Sequence, residues 1–121
     1  MTRNRASAKA AGTRAERAVA DYLRDQLQDD RIDRMARRGR SDRGDIAGVR
    51  AWGQRVVIEV KDVAKLALGT WTREAEIERM NDDALVGIVV HKRRGTTNVG
   101  DWYVTTTMTD LVALMTGERD D

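Results

Sequence analysis

The sequence predicts an α/β domain in which a mixed central sheet is flanked by helices. Two observations carry this prediction. Two strongly apolar, strand-like runs, residues 55–61 and 86–92, are separated by a segment of helical period. A helix-length connection of that kind lets two strands lie parallel, because a parallel pair needs a crossover and cannot be closed by a hairpin. The order of elements along the chain supplies the second: helix, three strands, helix, two strands, helix. At 121 residues the chain fits one domain with one modest core. Residues 1–11 read as a flexible basic arm, 12–117 as the domain and 118–121 as a frayed acidic tail.

The elements follow in order. In "TRAERAVADYLRDQLQ" (13–28), Ala15, Val19, Tyr22, Leu23 and Leu27 recur at helical spacing, and Thr13 with Glu16 makes a capping-box pattern. Residues 32–37 form a weakly signalled strand, and Gly39 and Gly44 bracket a basic loop. Short strands are expected near 45–50 and at 55–61, joined by a turn at Ala51–Gly53. Residues 70–85 return to helical period with Ile77, Met80 and Ala84 as the apolar stripe. The strand "VGIVVHK" (86–92), a loop at 93–100 and a strand at 101–107 come next. Thr109 then caps a short helix with Leu111, Leu114 and Met115 inward and Gly117 as its stop.

Composition excludes several classes. Cysteine is absent, so disulfides and thiolate metal sites are ruled out. No apolar run approaches the length of a membrane span, and the N-terminus has no apolar core of a secretory signal. Net charge is only +2, but residues 31–43 hold six Arg against two Asp. Clustered guanidinium groups suit phosphate, since each offers a planar fork of donors.

The chemistry concentrates in "GDIAGVRAWGQRVVIEVKD" (44–62). Side chains alternate along a strand, so Val57, Glu59 and Lys61 share one face and Val56, Ile58 and Val60 the other. A hairpin folded about Trp52 sets Asp45 directly opposite Glu59, on the same face. A two-residue turn would shift the register by one and turn Asp45 away. Two carboxylates held together call for a cation, and Mg²⁺ takes oxygen ligands from carboxylates and phosphate alike. With Lys61 alongside, the set suits metal-assisted phosphodiester hydrolysis.

Gly44-Asp45 followed by Glu59-Val60-Lys61 resembles the D-x(n)-E-x-K signature of the PD-(D/E)xK nucleases. "GTRAERAVADYL" resembles the opening helix of the archaeal-type Holliday junction resolvases, and "MARRGRSDRGDIAG" their basic loop before the Asp strand. "VVHKRRG" and "DWYV" resemble their late strands, and the whole is also similar to small endonucleases of actinobacterial phages. The resemblance covers about residues 12–116. It implies a restriction-endonuclease-like αβββαβ core and a cytoplasmic, homodimeric DNA endonuclease dependent on Mg²⁺, with Mn²⁺ as a substitute. The substrate it implies is a four-way junction. Asp45, Glu59 and Glu16 become metal-site acids and Lys61 the catalytic lysine. Arg17 and Arg37 match positions tied to DNA contact; Arg38, Arg40, Arg43, Lys92, Arg93 and Arg94 extend the phosphate-binding set. The sequence departs from the resolvase pattern in three places. Gly44 replaces the usual Pro, Ser41 is shifted from the loop serine, and "REAEIER" stands where a Gln is common, leaving Glu74 and Glu78 as candidate substitutes.

Other readings stay open. Glu16 has a full explanation as a capping-box residue, Glu59 and Lys61 as an ion pair, and Asp45 as a turn residue. The only histidine, His91, fits a structural role or a phosphate contact better than catalysis. Trp52 and Trp71 suit packing or a dimer interface, and Trp102 the core. An endonuclease acting on linear, flap or damaged DNA and a non-catalytic DNA-binding protein are the rival functions.

Overall fold

The computed structural model describes residues 3–36, 39 and 42–120. Helix α1 runs Arg5–Leu27, β1 Asp33–Arg34, β2 Ile46–Ala47, β3 Arg50–Ala51 and β4 Gln54–Lys61. Helix α2 follows at Leu68–Asp82, β5 at Val86–His91, β6 at Tyr103–Thr105 and α3 at Met108–Thr116. Four strands form a mixed sheet in the order β3-β4-β5-β6, and β1 and β2 form a small antiparallel pair. Strands β4 and β5 are parallel, with α2 as the crossover, and the other pairs are antiparallel. The expected α/β class with a mixed sheet is therefore present. Among the described residues, no helix is long and apolar enough to cross a membrane.

The sheet has two unlike faces. Val56, Ile58, Val60, Val86 and Val90 point to the side of α1, where Ala15, Val19 and Ala20 complete the main core with Ile32, Ile46 and Ala113. The alternate residues point to α2, where, among the described residues, Trp71, Ala75 and Val89 form a small separate apolar cluster. Gly87 allows α2 to come close, since a Cβ there would lie 2.7 Å from the Ala75 carbonyl oxygen.

Four expectations are corrected. Helix α1 begins at Arg5, and Asn4 caps it by accepting from the Ser7 N–H. Thr13 and Glu16 are thus interior helical residues, and the capping box is not formed. Helix α2 buries Trp71, Ala75, Glu78, Arg79 and Asp82, while Ile77 and Met80 of the expected stripe face outward. In α3 the cap is Thr107 rather than Thr109, and Asp110 and Ala113 turn inward while Leu111 and Met115 are exposed. Asp110 goes inward because its carboxylate accepts the Gly87 N–H at 2.8 Å and pairs with Arg119. That pair also anchors the segment after Gly117, read above as a frayed tail.

The fourth correction concerns register. Arg50 faces Arg55 and Ala51 faces Gln54, so the turn is the two-residue one, Trp52-Gly53. Both residues have positive φ (57° and 72°), as a tight hairpin turn requires. The Trp52 indole donates to the Leu114 carbonyl at 2.7 Å and its ring lies against Gly117, fixing the hairpin tip to the end of α3.

Candidate active site

The register slips by two residues between the tip and Asp45 but stays odd throughout, so the expected even pairing of Asp45 with Glu59 is not formed. The Val56 N–H donates to the Val49 carbonyl, in step with the tip, but the Asp45 N–H donates to Ile58 O, out of step by two residues. The extra residues are absorbed around Gly48, which has φ +88° and lies so close to Arg31 that a Cβ would sit 2.5 Å from its carbonyl oxygen. A bulge of this kind re-aims the side chains that follow it. Strand β2 consequently pairs with β1 rather than with β4. Gly44, at φ +100°, packs against Val57 and Ile58. Asp45 is thereby pressed against β4, and its Oδ2 accepts the Val60 N–H at 2.8 Å.

Glu59 lies in the middle of β4 on the α2 face and is 7% exposed; Asp45 is 2% exposed. The two carboxylates meet within hydrogen-bonding reach despite the register. Glu78 comes down from α2, 8% exposed, and reaches Glu59 from the other side. Among the described residues, no donor reaches Glu59 Oε2 or Glu78 Oε2. Burial first, and then the charge of Glu59, pushes the Asp45 carboxyl up to about 8. Burial, then the hydrogen bond and charge of Glu78, pushes Glu59 up to about 9. Glu78 is raised as well, chiefly by burial. All three shifts have the same physical origin: carboxylates removed from water and facing one another cannot all hold a negative charge.

The remaining site residues sit around this trio. Lys61 is at its edge, with Nζ 3.5 Å from Glu74 Oε1. Glu16, from the middle of α1, is 2% exposed, and Arg34 donates to its Oε1 at 3.2 and 3.3 Å. Its charge adds a small upward push to the Asp45 carboxyl. Asp42 adds its charge at Glu78. Of the two glutamates on α2, then, Glu78 joins the acids and Glu74 pairs with the lysine. Its position was open to detection, because Trp71, Ala75, Glu78 and Asp82 fall at spacings of four, three and four along one helix face. Arg34 gave no signal of its own among the many arginines.

His91 is buried between the rings of Trp71 and Tyr103, with centroids 5.2 and 5.5 Å away. Its Nε2 lies 2.7 Å from Thr105 Oγ1, and burial lowers its affinity for a proton. These contacts make it a packing residue. Among the cationic candidates, Arg17 donates to Asp33 at 2.8 Å, and Arg43 lies 3.8 Å from Asp82. Lys92 and Arg94 converge on Asp62, and Arg93 stacks over Tyr103 at 5.5 Å. Arg37, Arg38 and Arg40 lie outside the described residues.

Among the described residues, no three His, Asp or Glu side chains close into a ready-made metal cage. The donor set nonetheless fits a hard divalent cation. Such an ion takes oxygen ligands, and Glu59 Oε2 and Glu78 Oε2 are buried acceptors without donors. No family model, curated protein or solved structure matches the chain.

Proposed function

We propose that this protein is a divalent-metal-dependent DNA endonuclease of the PD-(D/E)xK type with a restriction-endonuclease-like core, acting on branched DNA such as a four-way junction. One observation carries the reading: Asp45, Glu59 and Glu78 are buried together, with the strand-borne Lys61, two residues beyond Glu59, as the cation acting on both glutamates. Burying three acids together is costly for stability and finds its reason in an ion that binds them.

In this reading Asp45 and Glu59 hold Mg²⁺ or Mn²⁺, Glu78 offers a further oxygen, and Glu16 tunes the site through its charge on Asp45. Bound there, the ion supplies a Lewis acid for a phosphoryl oxygen and a bound water of lowered pKa. Asp45 and Glu59 would have to be deprotonated to hold such an ion. Lys61, drawn from Glu74, orients the attacking water and offsets charge developing on the phosphate. Trp71, Ala75 and the rest of α2 keep bulk water from that face. Arg43, Lys92, Arg93, Arg94 and the arginines of the preceding loop hold flanking phosphates.

A homodimer belongs to the same proposal, supported by apolar surface left uncovered at Val104 of the edge strand and at Met108, Val112 and Met115 of α3. A second reading, a DNA-binding protein without catalysis, draws on one feature. With Asp45 and Glu59 protonated at neutral pH, the buried acids can hydrogen-bond one another with no ion at all.

Cleavage of labelled four-way junction, flap and linear duplex DNA in Mg²⁺ tests the proposal. Wild type should cut the junction fastest, and Glu59→Gln or Asp45→Asn should lower the rate by at least about a hundredfold, as loss of a transition-state electrostatic partner does. Undiminished cutting by both variants removes the mechanism. Equal cutting of linear duplex removes the junction preference.

A further inference from the structure

Asp62 follows Lys61 in the chain but turns to the opposite side of the sheet, toward α1. Its side chain is 4% exposed, and three cations from two distant segments, Arg3 and the Lys92–Arg94 stretch, meet on it. Arg3 Nη1 donates to the Asp62 carbonyl at 2.7 Å, and its Nη2 lies 3.4 Å from Oδ1. Arg94 Nη1 is 3.0 Å from Oδ1, and Lys92 Nζ is 3.8 Å from Oδ2. One cation would balance a buried carboxylate; three leave a local excess of positive charge. The acid is hidden, while the side chains of Arg3, Lys92 and Arg94 keep 38%, 35% and 51% of their surface exposed.

Beside this hub is a cavity walled by Arg14, Lys92, Thr96, Thr97 and Trp102. The Trp102 indole N–H is buried and, among the described residues, has no acceptor. Lys92 Nζ also lies 6.0 Å from the Trp102 ring. The groups left over are donors and cations, which is the complement of a phosphate oxyanion. Long cationic side chains pay conformational entropy to be held on a ligand, and a buried acid that already gathers them removes part of that cost.

We infer that Asp62 is a positioning residue that organises Arg3, Lys92 and Arg94 into a second phosphate clamp, on the α1 side of the sheet, for a nucleic-acid strand whose scissile phosphate lies at Lys61. The inference rests on the nuclease reading for its partner, and it adds Arg3 and Asp62 to the DNA-binding set.

The experiment is fluorescence anisotropy of labelled duplex and single-stranded oligonucleotides with the full chain, in EDTA, across a salt series. The double variant Arg3→Ala/Arg94→Ala should bind at least about fivefold more weakly and lose roughly 0.7–0.9 of salt slope for each phosphate contact removed. Asp62→Asn gives the sharper result. It removes a negative charge, so charge counting predicts tighter DNA binding, whereas the clamp predicts binding about threefold weaker or more. Wild-type affinity and slope in the double variant, or tighter binding by Asp62→Asn, overturns the inference. So does displacement of the DNA by inorganic phosphate at matched ionic strength, which would assign the clamp to a free anion. Should Asp62→Asn fail to fold, the double variant, altered at two partly exposed side chains, decides alone. Because EDTA removes cleavage from the readout, the clamp can fail while wild type still cuts in Mg²⁺, and the nuclease reading can fail while the clamp still binds.

Discussion

The two faces of β4 are built from alternate residues of one strand, yet they obey opposite rules. Toward α1, Val56, Ile58 and Val60 are buried among aliphatic side chains. Toward α2, Glu59 is equally hidden but lies among acids, with Lys61 at the rim. The first face stabilises the fold by removing apolar surface from water. The second costs stability, because its carboxyl groups can stay buried only by holding protons or by gaining a cation. A strand that joins such faces lets the apolar side hold the acidic side in place. That arrangement fits a site whose geometry must be set before its ligand arrives.

Changes on each side of β4 break this comparison in different ways. The largest stability loss is expected from Ile58→Ala, which opens the main core: about 2–5 kcal/mol, read as a lower urea midpoint with an unchanged slope. Its pH dependence should match that of wild type, since no titrating group is touched. A smaller effect comes from Gly87→Ala. The new Cβ would press on the Ala75 backbone 2.7 Å away. It should cost about 1–3 kcal/mol as overpacking does. Because α2 carries Glu78, this variant should also lose cleavage out of proportion to its stability, which Ile58→Ala should not.

The strands β4 and β5 and their parallel pairing were legible because Val56–Val60 and Val86–Val90 signal burial on their own. The acid pair was legible as chemistry, but the register that was to create it was not. Trp52-Gly53 forms the tighter turn, and the bulge at Gly48 returns Asp45 to Glu59 by a route that alternation alone does not predict. The helix faces were the hardest part. Apolar stripes in α2 and α3 pointed to Ile77, Met80, Leu111 and Met115, all exposed, because the inward positions went to residues with polar tasks. Asp110 is inward to bind Gly87 and Arg119, and Glu78 is inward to meet Glu59. Buried acids invert the signal on which hydrophobic periodicity depends.

The central claim is that the acidic face is held ready for a cation, and thermal unfolding across pH 5–9, with and without Mn²⁺, tests it most directly. Asp45 and Glu59 are raised from 3.8 to about 8 and from 4.5 to about 9, so across that window the folded chain binds more protons than the unfolded one. Their contribution is fully present below about pH 4 and is lost as pH rises through 8 and 9, so metal-free wild type should lose stability steadily across the range. Each tenfold change in proton affinity is worth about 1.4 kcal/mol. Glu59→Gln should therefore unfold several degrees above wild type at pH 8 and close to it at pH 5. Mn²⁺ should raise the wild-type midpoint most at high pH, where fewer protons must leave, and should leave Glu59→Gln nearly unmoved. A wild-type midpoint that is flat with pH and indifferent to Mn²⁺ would contradict the account.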